Sequence, residues 1–213
     1  MVLDVGCGQN GGSLPNFSRH VTVAAVDVNK QSILKSHRKL RSTPVGKNGF
    51  HFVRASVNNL PFRSQVFDIV ACVDLLEHLG KHEEAIKEMH RVSTPRGRLV
   101  GSTSNLMNPL MLFDSLMPRI LTEPLVRKFA GEHYERQCRL SPRALVRKMK
   151  KAGYATNLMV MLSLPPFQRW IHEDMGEGRP WFFHAWAAFN EITKHGSLSL
   201  LKGNMIFEFL RVQ

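Results

Sequence analysis

The 213-residue sequence has little that would cross a membrane, hold a metal or rely on cross-links. Its three cysteines, Cys7, Cys72 and Cys138, are scattered, odd in number and without a CxxC spacing. That pattern argues against a disulfide framework and a zinc site, and it suits a reducing compartment. The longest apolar stretches, 21–28 and 66–76, are broken by charge and fall short of the roughly 20 residues a bilayer span requires. No basic segment followed by an apolar core opens the sequence, so no secretory signal is read and the expected location is cytoplasmic. Repeats, low-complexity tracts and linker-like compositions are missing as well, so one domain over 1–213 is expected.

Acids are scarce. Seventeen Asp and Glu face 29 Lys and Arg, a formal charge of +12. Such a field favours anionic partners: nucleic acid, an anionic membrane surface or a phosphorylated substrate. The basic residues concentrate at 35–41 and 143–151, both of helical character, and neither cluster is interleaved with aromatics as an RNA-stacking surface would be. A solvated basic face is the expectation; nucleic acid is not favoured, and a peripheral contact with an anionic membrane remains as a partner class.

What is present is an alternation of strand and helix signals. Short apolar runs at 2–4, 21–28, 50–55, 67–73, 98–102, 154–164 and 205–212 read as strands. Helices are expected over 14–19, 31–40 behind an Asn29 cap, 83–92, 142–152 before Gly153, and 181–193. Leu60-Pro61-Phe62 and Pro95-Arg96-Gly97 read as turns. This is the pattern of a doubly wound α/β fold with helices on both faces of a parallel sheet.

The first chemistry-bearing segment is Val2-Leu3-Asp4-Val5-Gly6-Cys7-Gly8, an apolar strand running into a glycine turn. Glycines there let the backbone approach a ligand, and the next helix N-terminus offers free N–H donors. A second strand ends in Asp27, nineteen residues after Gly8, where an acid is placed to accept ribose hydroxyls.

Together with Leu60-Pro61-Phe62, Phe67-Asp68-Ile69-Val70, Leu75-Leu76-Glu77-His78-Leu79, Gly97-Arg98-Leu99, Leu140-Ser141-Pro142-Arg143 and Ala152-Gly153-Tyr154, these segments span about three-quarters of the chain. In this order and spacing the chain resembles the class I S-adenosylmethionine-dependent methyltransferases, in the group near the ubiquinone and menaquinone biosynthesis enzymes. The resemblance implies a Rossmann-like sheet of seven strands, the last antiparallel, and S-adenosylmethionine as cofactor. Residues Asp4, Gly6, Cys7 and Gly8 would cradle its methionine portion. Asp27 would hold the ribose with Val28 beside the adenine, Ser56 and Val57 would flank the ring, and Val73 and Asp74 would line the opposite wall. Position 10 is Asn where the family usually has a third glycine, and position 56 is Ser where it usually offers an aspartate. Relatives carry helices upstream of the first strand, so an upstream N-terminal helix is read as missing here.

Methyl transfer is an in-line displacement that needs alignment and exclusion of water, with a general base only if the acceptor loses a proton. His78 and His133 are the candidate catalytic residues; the alternative is a backbone-bonded helix-start histidine and an exposed loop histidine. No metal ligands are assigned. Segments 106–130 and 165–203 read as lid or insertion segments, rich in Met, Leu, Phe and Trp, which pack a lid or wall an apolar acceptor pocket. The expected function is methyl transfer to a small or lipid-like acceptor; the alternatives are an RNA or protein methyltransferase and a degenerate binding module of the same fold.

Overall fold

All four residues of β1 (Val2–Val5) are buried, as a short apolar run must be in the middle of a sheet covered on both faces. The computed structural model describes residues 1–8, 21–41, 49–109, 112, 116–118, 140–162, 192, 200 and 204–212. The helix expected over 14–19, all but residue 192 of the one expected over 181–193, His133, and most of 106–130 and 165–203 lie outside the described residues.

Six further strands join β1: β2 (Val23–Asp27), β3 (Phe50–Arg54), β4 (Phe67–Val73), β5 (Ser93–Ser104), β6 (Tyr154–Leu162) and β7 (Asn204–Arg211). Their spatial order is β3-β2-β1-β4-β5-β7-β6. The first five strands pair parallel, and β7 runs antiparallel to both β5 and β6. The expected doubly wound sheet with its last strand reversed is what the chain forms.

Alternate side chains of each strand go to opposite faces, which divides the core in two. On one face Leu3, Val5, Val70, Cys72, Leu99, Phe207 and Phe209 pack with α2 (His82–Val92) and α3 (Pro142–Lys151), through Ala85, Ile86, Met89, Leu145 and Met149. On the other, Val2, Val23 and Ala25 pack with Leu40 of α1 (Lys30–Arg41). The helices are delimited by local chemistry. Asn29 Oδ1 accepts from Gln31 N at 2.8 Å to start α1, and Ser141 Oγ accepts from Ala144 N at 3.3 Å to start α3. Gly153, at φ +93°, stops α3 in the left-handed conformation that glycine adopts without strain.

β5 departs from the expected boundaries. It begins at Ser93, before Pro95-Arg96-Gly97, which was expected to be the turn leading into a strand at 98. Between the pairs Phe67↔Ser93 and Ile69↔Arg98, β4 advances two residues while β5 advances five. The Pro-Arg-Gly segment is therefore a bulge inside the strand, with Arg96 at φ +64°, because pairing to β4 is satisfied on both sides of it.

Between β3 and β4 the chain is held by a charged clamp rather than by a helix. Arg91 of α2 donates Nη1 to Phe62 O at 2.8 Å and Nη2 to Leu60 O at 3.0 Å, and its Nε meets Glu88 Oε1 at 2.8 Å. Glu88 Oε2 accepts from Leu60 N at 2.8 Å. Arg91→Ala should cost about 2 kcal/mol in urea unfolding, since it strands two carbonyls and a partly buried carboxylate. The Arg91 bond holds the Glu88 carboxyl below its usual value. Its contribution is therefore present above the ordinary glutamate range and is lost as pH falls through the depressed folded value, so the wild-type advantage over Arg91→Ala should shrink in acid.

Candidate functional site

β1 ends in a turn that only glycine makes easily: Gly6 lies at φ +71° and Gly8 at φ +62°. Gly6 N and Cys7 N both donate to Val26 O, at 2.7 and 3.1 Å, so the turn folds over the end of β2. A Cβ on Gly6 would stand 2.7 Å from Leu75 Cδ1, so Leu75 packs directly on that α-carbon. Among the described residues, a Cβ on Gly8 would find nothing nearer than Gly6 O at 4.0 Å, so the backbone there is bare on that side. From beneath, the buried Ser36 of α1 donates its hydroxyl to Gly8 O at 2.5 Å.

Asp27, at the end of β2, ties this turn to the next element. Its Oδ2 accepts from Gly8 N at 2.9 Å and its Oδ1 from Asn29 N at 2.8 Å. Each carboxylate oxygen has capacity for a second donor. Val28 follows with its side chain exposed and its carbonyl held by Arg54 Nε at 3.0 Å.

The facing wall follows β4. Asp74 sits at φ +47°, unusual for a side-chain-bearing residue, and is pinned twice to Ser102 of β5: its N donates to Ser102 O at 3.0 Å and its Oδ1 accepts from Ser102 Oγ at 2.6 Å. A single 3-10 turn, Leu76–His78, comes next. Glu77 is buried and accepts from Thr103 Oγ1 at 2.7 Å and from Ser104 N at 3.4 Å, while His78 is exposed. Burial pushes the Glu77 carboxyl up, against the opposing Thr103 bond. The Cys7 thiol is pushed up to about 12, chiefly by burial and then by Asp4 and Asp27. Burial also raises Cys72, with Glu77, Asp4 and Asp74 adding to it. Four carboxylates thus gather at the carboxyl ends of β1, β2 and β4, a locally negative cleft in a strongly basic chain.

Those strand ends bring together Asp4, Gly6, Gly8, Asp27, Val28, Val73, Asp74 and His78, all expected from sequence. Three expected residues sit differently. The Cys7 side chain is packed in the core with Val23 and Leu40, so it faces the cleft with backbone alone. Val57 is buried in the opposite core cluster. Ser56 is exposed beyond β3, its hydroxyl accepting from Asn58 N at 3.3 Å. Sequence reading missed Ser36, Leu75 as a packing partner of Gly6, and the Ser102-Thr103-Ser104 run. The run of hydroxyls closing a buried strand was the available signal. A separate hollow of about 490 Å³ opens at the other end of the sheet, lined by Val146, Lys150 and Tyr154 among others, away from all these groups.

Residues 3–101 match the protein family described as a methyltransferase domain. The ubiquinone/menaquinone biosynthesis C-methyltransferase of Vibrio vulnificus (strain YJ016) is 34% identical over 105 residues, covering 46% of this chain and 39% of that protein. A ubiquinone biosynthesis O-methyltransferase of Rickettsia akari is 26% identical over 106 residues, covering 49% and 40%. The chain spans about two-fifths of the length of these relatives. Among solved structures, the geranyl diphosphate C-methyltransferase from Streptomyces coelicolor A3(2), in complex with Mg2+, geranyl diphosphate and S-adenosyl-L-homocysteine, superposes with a TM-score of 0.68 at 15% identity, over 99% of this chain and 72% of that one. A S-adenosylmethionine-dependent methyltransferase from Methanosarcina mazei gives 0.69 at 16% identity, over 99% and 92%. Sheet order and glycine turn define the class I methyltransferase fold. The chain has that fold, and its residues 3–101 match the methyltransferase-domain family.

Proposed function

We propose that the chain binds S-adenosylmethionine at the glycine turn and transfers its methyl group to a small or lipid-like acceptor. The observation that carries this is the bare backbone at Gly8, stapled through its N–H to Asp27 at the switch point between β1 and its two neighbours. The residues fit the group. Among the described residues nothing fills the place where a Gly8 side chain would stand, Asp27 keeps lone pairs for ribose hydroxyls, and the surrounding carboxylates suit a cationic ligand. In this reading Asp4, Gly6, Gly8 and the Cys7 backbone hold the methionine portion. Val28, Ser56 and the backbone at Val57 border the adenine, and Val73 and Asp74 form the facing wall. When bound, the cofactor supplies a methyl group activated on sulfonium sulfur. The protein's part is to align the acceptor and exclude water, with His78 taking a proton where the acceptor must lose one. His133 is the second candidate for that task.

The acceptor side is assigned to 106–130 and 165–203, as lid segments of a single 1–213 domain. Leu112 and Leu116 are exposed on the segment that leaves the carboxyl end of β5, the end where the glycine turn lies. The names of the quinone-biosynthesis and geranyl diphosphate relatives support a lipid-like acceptor. A cytoplasmic location, with peripheral contact to anionic membrane through the basic surface, is part of the same proposal; among the described residues no helix is long and apolar enough to cross a membrane.

Calorimetric titration with S-adenosylmethionine should give one saturable site, and no heat of binding would overturn the reading. With methyl-labelled cofactor and a cell extract, the label should partition into organic solvent with the lipids. Label found in RNA or protein instead would favour the alternative acceptors.

A further inference from the structure

We infer that Glu77 is a positioning residue for the cofactor cleft: its ionised carboxylate fastens the turn that carries Asp74 and His78 to the end of β5, and cofactor affinity follows its charge state. The inference rests on the cofactor reading above.

Glu77 is 5% exposed and lies behind the wall rather than on it. Three consecutive residues of β5 hold two acids of one turn: Ser102 holds Asp74, while Thr103 and the Ser104 amide hold Glu77. The turn is stiffened by its own backbone bonds, His78 N to Leu75 O at 2.9 Å and Leu79 N to Leu76 O at 3.1 Å. Displacing Glu77 would therefore move Asp74, His78 and Leu75, the last of which packs on Gly6, as a unit.

The ionised form suits both partners as they stand, since each donates to it. The Ser104 N–H can do nothing else, and the Thr103 hydroxyl is aimed at Glu77 Oε2. A carboxylate accepts from both; a protonated carboxyl turns one of its oxygens into a donor. The groups that face Glu77 do not neutralise it. Asp74 on its own turn adds negative charge, as Glu77, Asp74 and Asp4 of β1 do at the Cys72 thiol of β4, and His78 on the same turn is the opposing influence.

This arrangement costs stability. Burial raises the folded-state value of Glu77 above its unfolded one, so the fold is favoured while the group is protonated and loses stability as pH rises through the raised value. A glutamine of the same shape would relieve that cost at neutral pH. A purely structural role would therefore be served as well or better by glutamine, and a positioning role tied to charge would not.

The test compares wild type, Glu77→Gln and Thr103→Val by urea unfolding at pH 8 and by calorimetric titration of S-adenosylmethionine between pH 5 and 8. Glu77→Gln should unfold at no lower urea than wild type yet bind about tenfold more weakly at pH 8. Wild-type affinity should fall toward acid, and the glutamine variant should lack that limb. Thr103→Val removes the bond that opposes protonation, so its acid limb should move to higher pH. That shift remains readable if the glutamine variant does not fold. The inference is overturned if Glu77→Gln binds within about twofold of wild type at pH 8. An acid limb that persists in the glutamine variant, or one that stays put in Thr103→Val, overturns it as well. Wild type failing to bind at any pH defeats the cofactor reading itself, a result distinct from wild-type binding that the substitutions leave unchanged.

Discussion

Asp27→Ala should weaken S-adenosylmethionine binding roughly ten- to a hundredfold, because hydrogen bonds to a charged group are worth about 1.5–3 kcal/mol. The residue does two things at once. It accepts from Gly8 N at 2.9 Å and from Asn29 N at 2.8 Å, so it sets the shape of the glycine turn before any ligand arrives. In the proposed complex it also accepts ribose hydroxyls on its remaining lone pairs. Alanine removes both, leaving the Gly8 amide without its partner at the point where the backbone must stay open. Asp27→Asn keeps a single carbonyl oxygen and should lose less. Calorimetry gives the affinities, and circular dichroism checks that the sheet survives, as it should with β2 buried between β1 and β3. Unchanged affinity in the alanine variant would remove Asp27 from the site.

The largest expected effect on folding is Gly101→Ala. Gly101 of β5 pairs with Cys72 of β4, and an added Cβ would stand 1.9 Å from Cys72 O and 2.9 Å from Phe207 Cζ. Neither neighbour can give way. Cys72 is fully buried, with β1 on its other side, and Phe207 is buried in β7. Insertion into a packed core usually costs about 1–3 kcal/mol. A clash with sheet backbone belongs to the tail above roughly 4 kcal/mol, a large part of the 5–15 kcal/mol that keeps an ordinary domain folded. Gly101→Ala should therefore be largely insoluble or unfolded at 25 °C. Gly80→Ala is the control, because a Cβ there meets nothing within 4 Å among the described residues. Matching urea midpoints for the two variants would refute this account of β5.

Much of the fold was legible because its signals are local. β4 was readable to the residue as Phe67–Val73, an apolar run interrupted only by Asp68, which suits a strand covered on both faces. α1 announced itself by its Asn29 cap, α2 by apolar residues on one face, and α3 by Gly153, which marks where it ends. The start of β5 was not legible. Pro95-Arg96-Gly97 has turn chemistry, and nothing nearby says that Ser93 already pairs with Phe67. The antiparallel last strand came from family resemblance rather than from periodicity, since alternation of side chains is the same in either direction.

The sequence by itself determined the glycine turn at Gly6 and Gly8 and the acid at Asp27, because φ above zero and a strand-terminal carboxylate are demands on residue type. It determined that His78 and Asp74 follow a buried strand. Only the tertiary structure decided which side chains serve these residues from afar. Ser36 reaches Gly8 across 28 positions, Ser102 reaches Asp74 across 28, and Thr103 reaches Glu77 across 26. Such contacts exist because parallel strands lay their carboxyl ends side by side and α1 folds back beneath β1, and that adjacency leaves no mark on the residues in between. The same packing turned Cys7 and Val57 into the core, although both stand next to residues that face the cleft. A strand's periodicity says that neighbours point to opposite faces; which face is covered is settled by the helices that pack there.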